Sequence, residues 1–365
     1  MVIGIDANEA NFSQRVGVGQ YAFNILGELY QQDLTNQYYI FLKNPPQKDF
    51  PKTRDNWHYL VFGPQKLWTK IALPFYLYIR SPKLDLFYSF NHYSPLFSPF
   101  PTIPTIHDIG YLQDPSQFTK KDFYQLKNWT ENSLKKSVQI VAVSQFTKDE
   151  LIKTYQINPS KISLVYNGVN NSSKASPKNY QQVLNKFKIT LPYFLAVGTL
   201  KPNKNYPFLI NTFAEFLKSN PNYQLVIGGK KGWLYSDIAK LVTELNLNSQ
   251  IIFTDYLSEN EKNCLYQNAI SLVIPSTYEG FGIPAIESQQ FGTPVIASSI
   301  PPLQEVLKDS ALYIDPFNPK TLLEALKQVL NPKIRQNLIL KGRQQAQKFT
   351  WTNSAKSLIK IFSKI

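Results

Sequence analysis

Glu279-Gly280-Phe281-Gly282-Ile283-Pro284-Ala285-Ile286-Glu287 is the stretch whose reading decides the fold. It lies between two apolar runs, SLVIPST (271–277) and TPVIASS (293–299), and so reads as a loop-to-helix link between strands. Pro284 suits the first helical position, since its φ is already helical and its missing N–H had no partner there. Gly292 is placed to stop that helix. Gly280 and Gly282 let the backbone turn sharply and come close to a ligand. The unpaired N–H groups at the helix start, with the positive end of its dipole, then face an anion. Glu279, and Glu287 expected in the first helical turn, flank that position as two acceptors for hydroxyl groups. An anion site between two hydroxyl acceptors describes a nucleotide-sugar pocket.

Outward from this stretch, strands and helices alternate. In the second half, YFLAVG (193–198), YQLVIGG (223–229) and QIIFTDY (250–256) read as strands, with helices over 206–219, 235–246 and 259–269. In the first half the strands are VIGID (2–6), YYIFLK (38–43), HYLVFG (58–63), DLFYSF (85–90), TIPTIHD (102–108), SVQIVAVS (137–144) and KISLVYNG (161–168). Helices are expected over 18–31, 119–136 and 147–155. This order predicts α/β architecture with parallel, doubly wound sheets. At 365 residues two domains are expected. The polar run NNSSKASPKNYQQ (170–182) has linker composition. The expected division is a first domain at 1–172, a linker at 173–190, a second domain at 191–350 and a terminal helix at 351–365. That helix is amphipathic: Ala355, Leu358, Ile359, Phe362 and Ile365 share one face, Lys356, Lys360 and Lys364 another.

The Glu279–Glu287 stretch resembles the Glu-x7-Glu signature of the retaining glycosyltransferases of family 4, which have the GT-B fold. The resemblance continues in order along nearly the whole chain: IGIDAN (3–8), TIHDIG (105–110), VAVSQFTKDEL (141–151), YNGV (166–169), YFLAVGTLKPNKN (193–205), LVIGGKKGWLY (225–235), VIASSIPPLQEV (295–306) and FTW (349–351). It implies two Rossmann-like domains facing across a cleft, the first on the acceptor side and the second binding the nucleotide sugar. It also implies that the terminal helix crosses back to the first domain.

Site residues follow from the same resemblance. Lys204 corresponds to the family's phosphate-binding lysine. Gly17 and Gly19, either side of Val18, resemble its glycine loop. His107, at the end of a strand and followed by Asp108, takes the place of a histidine facing the donor sugar, where a neutral ring would orient the transition state. Glu279 would accept from hexose hydroxyls, supported by Gly280, Phe281 and Gly282, and Glu287 would hold the ribose. Tyr256 lies where the nucleobase is held, and reads equally as a packing tyrosine. The family often carries an arginine where this chain has Thr199 or Asn203; Lys201 is the nearest substitute. No Asp-x-Asp triplet occurs, so the expected reaction needs no metal and no cofactor beyond the donor. Lys204 and the helix start would stabilise the departing diphosphate, with retention of anomeric configuration.

Composition narrows the alternatives. The net charge is +14: residues 1–170 carry 17 Lys+Arg against 13 Asp+Glu, and residues 171–365 carry 22 against 12. Only five of the 39 basic residues are Arg, which argues against base reading in DNA. The aromatics fall in core-like strands rather than among the basic residues, so no nucleic-acid partner is expected. One cysteine, Cys264, gives no disulfide framework or thiolate cluster. The N-terminus shows no leader pattern and no apolar run approaches ~20 residues, so a cytoplasmic protein is expected. Contact with the anionic inner face of the cell membrane is a further expectation, through the terminal helix or through KLWTKIALPFYLYIR (66–80). The expected activity is transfer of a hexosyl group to a glycan or lipid-linked saccharide, with GTL-x-P-x-K-N leaning towards mannosyl transfer. The rival readings are a nucleotide-sugar epimerase on the same fold and a catalytically inactive partner subunit.

Overall fold

The computed structural model describes residues 1–95, 97–113, 115, 119–170, 177–232 and 235–365. The chain forms two compact units, Met1–Gly168 with Thr350–Ile365, and Val169–Phe349.

In the first unit the strands are β1 (Val2–Asp6), β2 (Gln37–Leu42), β3 (Trp57–Val61), β4 (Leu86–Ser89), β5 (Thr102–Ile106), β6 (Ile140–Ala142) and β7 (Ile162–Leu164). They make one parallel sheet in the order β3-β2-β1-β4-β5-β6-β7. Central strands of a parallel sheet are covered on both faces and therefore read as unbroken apolar runs; all five residues of β5 are buried. The strand order reverses between β1 and β4, where Ile3 pairs with both Tyr38 and Leu86. The helices are α1 (Val18–Gln32), α2 (Leu73–Ile79), entered through a π-helical turn at Trp68–Ala72, α3 (Lys120–Lys136) and α4 (Gln145–Tyr155). Ser144 caps α4, its Oγ accepting from the Thr147 N–H at 3.0 Å.

The second unit holds β8 (Tyr193–Val197), β9 (Gln224–Gly228), β10 (Ile251–Phe253), β11 (Leu272–Ile274), β12 (Val295–Ser298) and β13 (Ala311–Ile314). Again all pairs are parallel, in the order β10-β9-β8-β11-β12-β13. Its helices are α5 (Pro177–Phe187), α6 (Tyr206–Leu217), α7 (Tyr235–Glu244), α8 (Glu259–Asn268), α9 (Ile283–Gln290), α10 (Pro301–Leu307), α11 (Pro319–Gln328) and α12 (Pro332–Ala346). Phe194, Leu225, Ile227, Val273 and Ile296 from the sheet meet Leu209, Phe213, Phe216 and Leu326 from α6 and α11 in one core. Here the order reverses between β8 and β11.

The last helix, α13 (Trp351–Phe362), belongs to the first unit and packs on α1. Trp351 meets Tyr21 edge-on at 5.8 Å and Phe362 meets Tyr88 at 5.3 Å. Ala355, Leu358 and Phe362 are fully buried there, so the apolar face that could have lain on a membrane is covered by protein. The linker expected at 173–190 is helical from Pro177 to Phe187; its first residues, 173–176, lie outside the described residues, as do 233–234 of the segment 225–235. Among the described residues no helix is long and apolar enough to cross a membrane.

Candidate functional site

The carboxyl ends of parallel strands, where the strand order reverses, form the natural ligand crevice of such sheets. In the second unit that place is bounded by the loops after β8 and β11, and those loops carry Lys204 and Glu279. Lys204 Nζ donates to Glu279 Oε1 at 2.5 Å, and Ser276 Oγ donates to the same oxygen at 2.7 Å. Both side chains are mostly buried, 19% and 12% exposed. Asn203, one of the two positions without the family's arginine, braces the two loops instead: its Nδ2 donates to Tyr278 O at 3.1 Å, and its carbonyl accepts from the Thr277 N–H at 2.9 Å. Thr199 follows Gly198, whose carbonyl accepts from Tyr206 OH at 3.0 Å.

Gly280, Phe281 and Gly282 carry the chain from Glu279 into α9. Gly282 caps that helix with φ at 96°, a region that disfavours side chains, and Pro284 falls in its first turn. Phe281 is buried edge-on against Phe349 at 5.5 Å. Glu287 does not lie in the first turn of α9, as expected, but one turn further in, because the helix starts at Ile283. It is held from α8: Lys262 Nζ donates to Oε1 at 2.6 Å and Tyr266 OH to Oε2 at 3.0 Å. Burial, reinforced by the Glu287 carboxylate, pushes the Tyr266 phenol well above its ordinary pKa, so it stays a donor. Lys262 and Tyr266 escaped the sequence reading; their i, i+4 spacing on one helix face was the available signal. Tyr256 is partly buried on the loop after β10, two strands from β8, with Lys230 Nζ 5.3 Å from its ring centre.

The other predicted residues belong to the first unit. Gly17 caps α1 at φ 49°, and a Cβ at Gly19 would stand 2.8 Å from the Glu9 carbonyl. Arg15 pins this loop by donating to Ala10 O at 2.6 Å and, through both terminal nitrogens, to Asp49 at 2.6 and 2.8 Å. His107 follows β5 and is partly buried. Its Nε2 lies 2.8 Å from Phe90 O; a carbonyl only accepts, so Nε2 carries the proton and Nδ1 is the ring's acceptor. Burial holds its pKa down at about 4, leaving the ring neutral at pH 7. Tyr21 meets it edge-on at 4.7 Å.

Near the reversal of the first sheet is a cavity of about 320 Å³, lined by Asp6, Glu9, Lys43, Asn91 and Trp129 among others. Asp6 Oδ1 accepts from the Asn8 N–H and side-chain amide at 3.1 and 2.7 Å, yet burial pushes its carboxyl up to about 6. Asn91 Nδ2 donates to Glu9 Oε1 at 3.1 Å. Asp6 and Glu9 were not singled out in the sequence, although a carboxylate at the end of the first strand was a visible sign. A larger cavity, about 630 Å³, opens at the amino ends of β9 and β10 around Gln224 and Ile251, on the edge opposite the glutamates. Among the described residues no group of three or more His, Cys, Asp or Glu is placed to hold a metal ion.

A sequence profile described as Glycosyl transferases group 1 matches residues 180–345, and one described as Glycosyltransferase Family 4 matches residues 16–173. The O-antigen chain mannosyltransferase RfbU of Salmonella typhimurium is 35% identical over 226 residues, 62% of this chain and 60% of its own length. The O-antigen chain mannosyltransferase B of Escherichia coli is 27% identical over 264 residues, 71% of this chain and 69% of its own. The chain thus spans about three-fifths of the first relative's length. The structure of Anabaena HepE in complex with UDP-glucose is 16% identical, with a TM-score of 0.78 over 100% of this chain and 99% of that one; at that identity the likeness is one of fold. With both units all-parallel and doubly wound, and with the two profiles together reaching from residue 16 to residue 345, the chain belongs to the group 1, family 4 glycosyltransferases of GT-B fold.

Proposed function

We propose that this protein is a retaining hexosyltransferase that moves a sugar from a nucleoside-diphosphate donor to a glycan or lipid-linked saccharide, without a metal. The observation that carries the reading is the Lys204–Glu279 pair, set on the two loops at the reversal of the second sheet. An ammonium group has three donors, so Lys204 serves Glu279 with one and offers the others to diphosphate oxygens. Glu279 keeps a second oxygen for a sugar hydroxyl, and Glu287, fixed by Lys262 and Tyr266, stands ready for the ribose. As the glycosidic C–O bond breaks, negative charge grows on the diphosphate; Lys204 and the start of α9 would stabilise it more than they stabilise the ground state. The sequence offers no assignable carboxylate nucleophile for a double displacement, which favours attack by the acceptor on the face the diphosphate leaves. The two O-antigen mannosyltransferases among the relatives support a mannosyl donor and a surface-polysaccharide acceptor.

Calorimetric titration with GDP-, UDP-, ADP- and dTDP-hexoses in EDTA tests the donor site. One donor is expected to bind selectively, with affinity at least tenfold weaker in Glu279→Ala. Binding of none, whether in EDTA or in magnesium, would overturn the donor reading, and binding seen in magnesium but not in EDTA would overturn metal independence. An acceptor-independent change of the donor sugar, seen by NMR, would instead establish the epimerase.

A further inference from the structure

The segment from Leu67 to Ile79 is apolar on two opposite sides. Trp68, Leu73 and Leu77, at 3%, 0% and 2% exposure, enter a core with Phe41, Leu84 and Phe87. Leu67, Ile71, Phe75, Tyr78 and Ile79 point the other way and are 57–62% exposed. Steps of four and of three or four residues align Ile71, Phe75, Tyr78 and Ile79 in a single stripe along the π-turn and α2, with Leu67 exposed at its start. A helix apolar all round is normally enclosed by protein, and a contiguous exposed apolar stripe marks a surface that meets something else.

Charge decides what it meets. Between Asp55 and Asp85 the chain has no acidic residue, but has Lys66, Lys70, Arg80 and Lys83. Lys66, Arg80 and Lys83 are exposed, and Lys70 stands 4.0 Å over the Trp129 ring. An apolar stripe of Leu, Ile, Phe and Tyr with cations at its ends suits the boundary between acyl chains and anionic headgroups. We propose that the face formed by residues 66–83 docks this protein on an anionic phospholipid surface. Leu67 and Trp68 also line the cavity of about 320 Å³ that holds Asp6, Glu9 and Asn91. Docking through this face therefore sets that cavity beside the headgroups. The proposal deepens the acceptor reading above, giving a lipid-linked saccharide a place of encounter, but its test reads no catalysis.

The test is vesicle flotation of the full chain with phosphatidylcholine alone and with phosphatidylcholine containing phosphatidylglycerol, at low and high salt. The protein is expected to float with the anionic vesicles and to be released by salt. Ile71→Glu/Phe75→Glu changes two exposed side chains, so folding, checked by circular dichroism, is retained, and the floated fraction is expected to fall at least tenfold. Lys66→Ala/Arg80→Ala/Lys83→Ala is expected to lower partition onto anionic vesicles by about tenfold or more. Absence of flotation, or flotation unchanged in the double variant, would overturn the proposal. So would a dimer in light scattering that the double variant dissociates while neither form floats, since the stripe would then be covered by a second copy. Donor titration on the same variants separates the two proposals: unchanged donor binding with lost flotation supports both, and flotation without donor binding sinks only the proposed function.

Discussion

At the scale of single residues, two titrating groups near the carboxyl edge of the first sheet pull stability in opposite senses. The Asp6 carboxyl rises from 3.8 to about 6 on folding, chiefly through burial. The folded chain therefore binds the extra proton between those values, and the Asp6 contribution, full below pH 3.8, is lost as pH rises through 6. The His107 pKa falls from 6.5 to about 4, again chiefly through burial. Its contribution is full above pH 6.5 and is lost as pH falls towards 4. Each amounts to about 3 kcal/mol at most, so in the parent chain they largely offset one another between pH 4 and 6. Single replacements expose them. The melting temperature of Asp6→Asn relative to the parent should rise from pH 4 to 6.5, and that of His107→Gln relative to the parent should rise as pH falls over the same range. Flat differences for both would show that neither side chain is desolvated as the structure has it. The residue scale is also where sequence reading reached furthest and then stopped. Glu279 and Glu287 stood out as candidates because turn glycines and strand ends frame them, and Lys204 because the family resemblance puts a phosphate-binding lysine there. Lys262 was missed: its i, i+4 spacing to Tyr266 marks a shared helix face, but not the carboxylate that face meets 25 residues away.

At the scale of elements, the strands other than β13 were legible because burial on both faces leaves long apolar runs; β13 has four residues, two of them only half-buried, and leaves no such run, and several helices were hidden for physical reasons. The stretch at 73–79 has apolar residues on both sides and so no 3.6-residue period. The helix at 177–187 begins in a polar run that resembles a linker, and its Pro177 reads as a breaker although the first helical turn accepts proline. Pro301-Pro302 disguises α10 in the same way. The return of the terminal helix left one strong local demand, at Gly168. A Cβ there would stand 2.1 Å from Trp351 N and 2.4 Å from Thr350 C, and backbone atoms cannot swing aside as a side chain does. Gly168→Ala is expected to destabilise the protein by about 3 kcal/mol or more in urea unfolding. Gly27, inside α1, has open space where its Cβ would lie, so Gly27→Ala should stabilise by roughly 0.5–1 kcal/mol. Equal effects at the two sites would refute the close passage of 168 against 350–351.

At the scale of the whole molecule, the chain's path separates neighbours in sequence from neighbours in structure. Phe349 ends the second unit and Thr350 begins the return to the first. Each unit has its own core: Phe194, Phe213 and Val273 in the second, Phe41, Leu73 and Phe87 in the first. Trp351, Ala355, Leu358 and Phe362 complete the first, at 4% exposure or less. Full burial of Leu358 and of Phe362 is worth roughly 1.5–3 kcal/mol each, a large part of the stability of an ordinary domain. Removal of residues 350–365 should therefore weaken the distant first unit and spare the adjoining second one. Scanning calorimetry is expected to resolve two transitions in the parent chain. A nucleoside diphosphate that binds the Lys204–Glu279 loops should raise only the transition of the second unit, which assigns the two peaks. In the truncated chain the peak that does not respond to nucleotide should move down or vanish, while the responsive one keeps its midpoint and its shift. A loss confined to the responsive peak would mean that α13 supports the unit it follows in sequence, against its packing on α1.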